Sequence, residues 1–309
     1  MDVVWLARLQ FSLTIMFHFL FPPISIGLAF LVLLLETARW RTGKDVYRRA
    51  SDFWLHLLAV TFVVGVATGI VMEFEFGTNW AAYSRFVGDI FGAPLAVEGL
   101  FAFFLESFFL GLLLFGRKRI SSFARWFASL MVSLGTSISA FAIIVANSWM
   151  QTPAGYRLAD GRAELADLGA AVFNASTWPR FLHTMTACWT MGAFLMAGIA
   201  AWYHLKGRRS DVARVSLRLG TVAAFVAVAL NVATGDHHAK QVAATQPVKF
   251  AAMEGLFDTQ RGAPLVVFML PPTQQGPREG PAITIPKAAS VLAFGDLEPG
   301  EVAALAGLL

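Results

Sequence analysis

At 309 residues, with 57% hydrophobic and 14% charged residues, the chain has too little polar surface for a water-soluble globular domain. A mean hydropathy of +0.62 places it in the membrane class. The formal net charge of +4 suits an anionic partner on its own, but the positions of the basic residues report membrane topology instead, and nucleic acid is not implied.

Six apolar runs follow one another, at 11–36, 54–76, 92–115, 124–147, 180–204 and 216–235. About 20 apolar residues suffice to cross a bilayer. Backbone in lipid must satisfy its own hydrogen bonds, so these runs predict helices. The expected fold class is all-α: a polytopic transmembrane helix bundle of six spans, followed by an extracytoplasmic C-terminal loop segment. The predicted division is 1–235 for the bundle and 236–309 for the tail. Fourteen of the 24 Lys and Arg residues fall after spans one, three and five, and five fall on the N-terminus and the opposite loops. The positive-inside rule then puts the N-terminus of this multi-pass chain outside. The first span lacks a basic leading region, so it does not read as a cleavable signal peptide. A single cysteine, Cys188, excludes an internal disulfide and a CxxCH haem attachment.

The first span carries His18, followed by Pro22 and Pro23. An imidazole at lipid depth without a charged neighbour on its own helix is a ligand candidate; the alternative is a hydrogen bond to a facing helix. In the second span, Gly65 and Gly69 form a small-xxx-small face for close helix approach. Glu73 and Glu75, at the outer end of that span, point to different sides of the helix and, beside Trp80, suggest a shaped outer surface.

The third span, GAPLAVEGLFAFFLESFFLGLLLFG, places Glu98 and Glu106 among Phe and Leu. A carboxylate near the centre of a spanning helix costs about 2.5–3.5 kcal/mol on the insertion scale, so two are more than an anchor would carry. Eight residues apart, they lie about 80° around the axis and about 12 Å along it, a geometry suited to a proton relay. The alternative is an interhelical hydrogen bond made for packing. Glu98 is expected at the depth of His18, with Glu106 deeper. The fourth span carries Ser133, Thr136, Ser137 and Ser139; packing is the expected role for all except Ser139, which could join a proton wire from Glu106. His183 opens the fifth span as a second outer intramembrane histidine, whereas His56 and His204 lie near cytoplasmic ends.

The tail is rich in Pro and Gly, at Pro247, Gly262, Pro264, Pro271, Pro272 and 276–281. Residues 246–260 read as a short amphipathic helix or turn bearing Lys249 and Glu254 as its charged pair. Such a pair on a surface loop is ordinarily solvated. Too few Cys, His and Asp cluster for a zinc or iron–sulfur site. Isolated imidazoles on separate apolar helices suit haem iron, and 28 Phe and 9 Trp can wall a macrocycle. Quinol is then the lipid-soluble electron donor at hand.

The segments ARLQFSLTIMFHFLFPPISIG, GVATGIVMEFEFGTNW, GDIFGAPLAVEGLFAFFLES, VANSWMQTP and the Lys-Phe-Ala-Ala-Met-Glu run resemble subunit I of the cytochrome bd-type quinol oxidases, over essentially the whole chain. The resemblance implies His18 as axial ligand of the high-spin haem at the oxygen site, haem d or a haem b in its place. It implies His183 as one axial ligand of low-spin haem b, with a further high-spin haem b in the assembly. Glu98 and Glu106 would serve the high-spin haems and the proton path, with Ser139 alongside. Lys249 and Glu254 would bind quinol. The implied reaction oxidises two quinols and reduces one dioxygen to water, beside a second polytopic subunit in the lipid bilayer. Family members continue with three further spans, which supply a methionine and a glutamate ligand and a GRQPW motif. These are absent here, so a truncated or split form, or a fragment, is expected. Two alternatives are a non-catalytic remnant and a proton or solute carrier using the buried glutamates.

Overall fold

The computed structural model describes residues 2–116, 119–208, 210–270 and 281–295. Arg117, Lys118 and Arg209 of the basic loops, the Pro- and Gly-rich stretch 271–280 and the tail from 296 lie outside the described residues.

The first apolar run folds as two helices, α1 (Val3–His18) and α2 (Phe21–Thr42). Asp2 caps α1 through Val4 N–H. Pro22 and Pro23 sit in the first turn of α2, where a missing N–H costs nothing. The same residues cannot bond back into the preceding turn, so α1 stops at His18. Gly43, with φ of 68°, ends α2 in the left-handed conformation that glycine adopts without strain.

The chain continues as α3 (Asp45–Gly77), then α4 (Ala81–Val97), a single π-helical turn (Glu98–Ala102) and α5 (Phe103–Phe115). Next comes α6 (Ser122–Gln151), capped by Ser121 on Ala124 N–H. A small excursion follows, the antiparallel strands β1 (Tyr156–Ala159) and β2 (Arg162–Leu165) and the short α7 (Leu168–Val172). The chain re-enters as α8 (Thr177–Leu205) and returns as α9 (Asp211–Thr245). It ends with α10 (Pro247–Met253), strands β3 (Leu265–Met269) and β4 (Ala282–Ile285), and α11 (Ala288–Phe294).

Six candidate spans result among the described residues: 3–42, 45–77, 81–115, 122–151, 177–205 and 211–245. All six predicted runs lie within them, and the all-α class stands. The helices overrun the apolar runs because polar first and last turns continue the hydrogen-bonded ladder beyond the hydrophobic stretch. One span boundary moves in consequence. The third span starts at Ala81 rather than at 92. The division at 235/236 falls inside α9, which runs unbroken for ten more residues.

α2 is the central helix. Leu28, Leu31, Val32 and Leu35 pack against Trp54, Leu55 and Leu58 of α3, Leu110 and Leu113 of α5, Val132 of α6 and Met196 of α8. A helix apolar on every face belongs at the centre of a bundle. α2 and α8 touch through glycine: a Cβ on Gly27 would collide with the Cys188 carbonyl and stand 2.9 Å from Gly192 Cα. α9, α10 and α11 close one end around Phe250 and Leu256.

At the other end of the bundle, Arg125 of α6 is wholly buried. Its Nη2 donates to Glu36 Oε1 of α2 at 2.7 Å and to Asp52 Oδ1 of α3 at 2.8 Å. Ser51 Oγ donates to the same Glu36 oxygen at 2.6 Å, and Arg39 reaches Glu36 Oε2 at 3.2 Å. Three helices are tied at one buried point.

Candidate functional site

His18 ends α1 beside the proline break, which leaves its ring in the crevice between α1 and α3. Its Nδ1 lies 2.8 Å from Thr68 Oγ1. A Cβ on Gly69 would stand 3.3 Å from His18 Cε1, so the glycine lets the ring lie against the α3 backbone. Gly65, one turn back, faces Phe21. The expected small-residue face therefore seats the kinked first span.

His183 lies six residues into α8, facing α9. Its Nδ1 is 3.4 Å from Thr234 Oγ1, which is 3.0 Å from Thr186 Oγ1; Thr186 also donates to Asn231 Oδ1 at 3.0 Å. A Cβ on Gly235 would stand 3.1 Å from His183 Cε1. Neither His18 nor His183 makes a hydrogen bond through Nε2 among the described residues, so each offers one free ring nitrogen. That is the donor expected of a haem-iron ligand, and aromatic rings lie on the helices that carry both histidines, Phe11 and Phe17 on α1 and Trp178, Phe181 and Trp189 on α8. Among the described residues no group of three or more His, Cys, Asp or Glu is placed to hold a metal ion.

Glu98 opens the π turn, whose i→i+5 bond is Phe103 N–H to the Glu98 carbonyl. Ser139 of α6 donates to Glu98 Oε1 at 2.9 Å. Glu106 is 8% exposed and lies against Gly135, where an added Cβ would stand 2.7 Å from Glu106 Cγ. Gly135 and Ser139 are four apart and share one face of α6. Both carboxylates therefore face α6, and the expected 80° offset is corrected. A π turn absorbs one extra residue, about 100° of rotation, and swings Glu106 back to within about 20° of Glu98. Ser139, the hydroxyl expected to join a proton wire from Glu106, is bonded to Glu98. Thr136 and Ser137 spend their protons on the Ser133 carbonyl of their own helix, as packing hydroxyls do.

Thr68, Ser139 and Thr234 lie nine, twelve and eleven residues from the ends of α3, α6 and α9, all at the same end of the bundle. This agrees with one shared depth for His18, Glu98 and His183. Glu75 accepts from Gln10 Nε2 at 2.8 Å while Glu73 is exposed, so the two do part to different sides.

Lys249 sits on α10, the short helix expected there, and Glu254 follows its last turn. The pair is not an ion pair among the described residues. Lys249 Nζ instead donates to Gln151 Oε1 at 2.6 Å, at the end of α6. Gln246 also donates to the Gln151 carbonyl at 2.9 Å. Both charges are half-buried. Burial first, and the Arg180 guanidinium second, hold the Lys249 ammonium below its ordinary pKa; burial pushes the Glu254 carboxyl above its own. Nearby, Arg180 donates to Asn147, and the His238 ring centroid lies 5.8 Å from that of His183. His238 Nε2 is buried without a hydrogen-bond partner among the described residues. Sequence reasoning passed over Thr68, Thr234 and His238: a threonine in an apolar helix carries no signal until a facing imidazole is known.

The fold and the site define a polytopic helical membrane protein whose bundle holds two separate imidazoles and two carboxylates within its apolar depth. The family model described as cytochrome bd terminal oxidase subunit I matches residues 6–308. The chain belongs to that family. It is 42% identical to the cytochrome bd-II ubiquinol oxidase subunit 1 of Escherichia coli, over 96% of this chain and 58% of the relative. It is 42% identical to the cytochrome bd ubiquinol oxidase subunit 1 of Bacillus subtilis, over 95% of this chain and 63% of the relative. A solved structure of bd oxidase from Geobacillus thermodenitrificans superposes with a TM-score of 0.91 at 29% identity, covering 99% of this chain and 70% of that one. The chain thus spans about six tenths of the length of these curated relatives.

Proposed function

We propose that the chain is the haem-bearing part of a respiratory quinol oxidase that reduces dioxygen to water. The observation that carries this reading is the pair of lipid-depth imidazoles, each held by one nitrogen with the other free, in a member of this family. His18 would hold the haem at the oxygen site, a haem d or haem b, and His183 the low-spin haem b. Bound haem would supply electron relay and oxygen reduction. Glu98, with Ser139, would hold a proton beside the oxygen site, and Glu106, one α6 turn away, would pass protons to it. Lys249 and Glu254 would bind quinol, with Gln151 fixing the ammonium. The second polytopic subunit, the N-terminus on the outer side and the bacterial inner membrane belong to the same reading.

A reduced-minus-oxidised spectrum of membranes containing the protein tests it, together with oxygen uptake on added quinol. Haem bands and quinol-driven uptake are the expected results. A spectrum without haem bands would leave a carrier of protons or solutes, and bands without uptake would leave a remnant.

The Lys249 environment adds a pH expectation. Its charge is lost at lower pH than that of a free lysine, so quinol KM should begin to rise on the alkaline side before an ordinary lysine would titrate. Lys249→Met should raise KM at neutral pH and abolish that alkaline limb. A pH profile of KM unchanged by the substitution would remove Lys249 from the quinol site.

A further inference from the structure

The tetrapeptide Val-Ala-Thr-Gly occurs twice, at 66–69 in α3 and at 232–235 in α9. Each copy meets a histidine on an antiparallel neighbour, and the two pairs are almost equally spaced: Thr68 lies 50 residues after His18, and Thr234 lies 51 after His183. The contacts match atom for atom. In both, the threonine oxygen faces Nδ1 and the following glycine lies under Cε1.

A threonine hydroxyl has one proton, and both threonines aim theirs back into their own helix. Thr68 bonds to the Val64 and Gly65 carbonyls at 2.9 and 3.0 Å; Thr234 bonds to the Leu230 and Asn231 carbonyls at 2.9 and 3.2 Å. Each oxygen is then left as an acceptor, and of the two neutral imidazole tautomers only the one protonated on Nδ1 donates to it; Thr186 Oγ1, 3.0 Å away, is a second donor available to Thr234. The tautomer follows: hydrogen on Nδ1, lone pair on Nε2. β-Branching and the back-bond together lock the threonine rotamer, and the glycine removes the one atom that would push the ring away.

We propose that Thr68–Gly69 and Thr234–Gly235 are two copies of one imidazole seat, positioning residues that hold His18 and His183 by Nδ1 and present Nε2 to haem iron. The inference rests on the reading of those histidines as ligands. The seats differ in tightness. The 2.8 Å contact at His18 is an ordinary hydrogen bond, whereas the 3.4 Å contact at His183 is long and shared with Thr186.

The test uses the full oxidase assembly, with Thr68→Val, Thr68→Ser, Thr234→Val and Thr234→Ser, read by the rate of haem transfer to apomyoglobin and by the midpoint potential of each haem component. Valine keeps the shape and removes the acceptor; serine keeps the acceptor. Each valine variant should speed loss of one haem component by about 10–100-fold and shift its potential, leaving the other component unchanged, with Thr68→Val the larger. Serine should restore both readouts. Alanine, which favours the helix, stands in for any valine variant that fails to accumulate. Unchanged loss rates and potentials, or equal effects of serine and valine, would overturn the seats. His18→Ala and His183→Ala separate the two ideas: if they remove haem while the threonine variants do nothing, only the seats fail. If they leave the haem in place, the ligand reading itself fails.

Discussion

Alanine at His18 and alanine at His183, the two proposed haem ligands, are each expected to eliminate one haem component while leaving the other spectroscopically intact, and each should abolish the proposed quinol-driven oxygen uptake. The independence follows from the fold. His18 is held between α1 and α3, His183 between α8 and α9, and the two rings share no hydrogen-bond partner among the described residues. Changing a residue that merely orients a ligand weakens metal binding by about 10–100-fold, so deleting the proposed ligand should exceed that range. Neither substitution should unfold the bundle, because both rings are only half-buried and lie outside the central packing of α2. Helical circular dichroism and the residual haem spectrum, measured on the same preparation, check both halves. Full haem content in either variant would remove that histidine from the site.

Alanine at Arg125 is expected to cost about 3–5 kcal/mol of stability, without any direct effect on haem spectra. The guanidinium is wholly buried and donates to Glu36 and Asp52 at once, joining α6 to α2 and α3. Its removal leaves Glu36, itself 0% exposed, as a buried anion. Ser51 and Arg39 still reach that carboxylate, which places the loss toward the lower end of the range. The penalty comes from the stranded charge more than from the pair. Glu36→Met combined with Arg125→Met should therefore recover much of it, the sign of a strong coupling energy in a double-mutant cycle. Thermal unfolding of the detergent-solubilised protein measures this. A double variant as unstable as the sum of the singles would mean that the two side chains act separately.

Much was legible in the residues alone. Lipid accepts only long apolar helices with satisfied backbones, so the number and approximate extent of the spans follow from hydropathy. The expense of burying a carboxylate or imidazole made Glu98, Glu106, His18 and His183 conspicuous before any coordinates. The helix bearing Lys249 was readable too, from its short apolar periodicity. The partners were not. Arg125 reads as one more topology-setting basic residue, yet it is buried on Glu36, 89 positions earlier. Lys249 and Glu254 are near in sequence, yet the ammonium turns to Gln151, 98 positions away. The offset between the two glutamates depended on one π-helical turn, which no apolar count reveals because a single extra residue leaves hydropathy untouched.

By itself, then, the sequence determined which segments enter the membrane and which polar groups they carry there at a cost. Only the tertiary structure decided which helix faces meet: His18 against Thr68, Glu98 against Ser139, Arg125 between two acids. The reason is physical. Entry into lipid is a sum over one segment's own transfer energies, whereas a contact needs two helices, and small residues such as Gly27, Gly135 and Gly192 set how closely and at what rotation they approach.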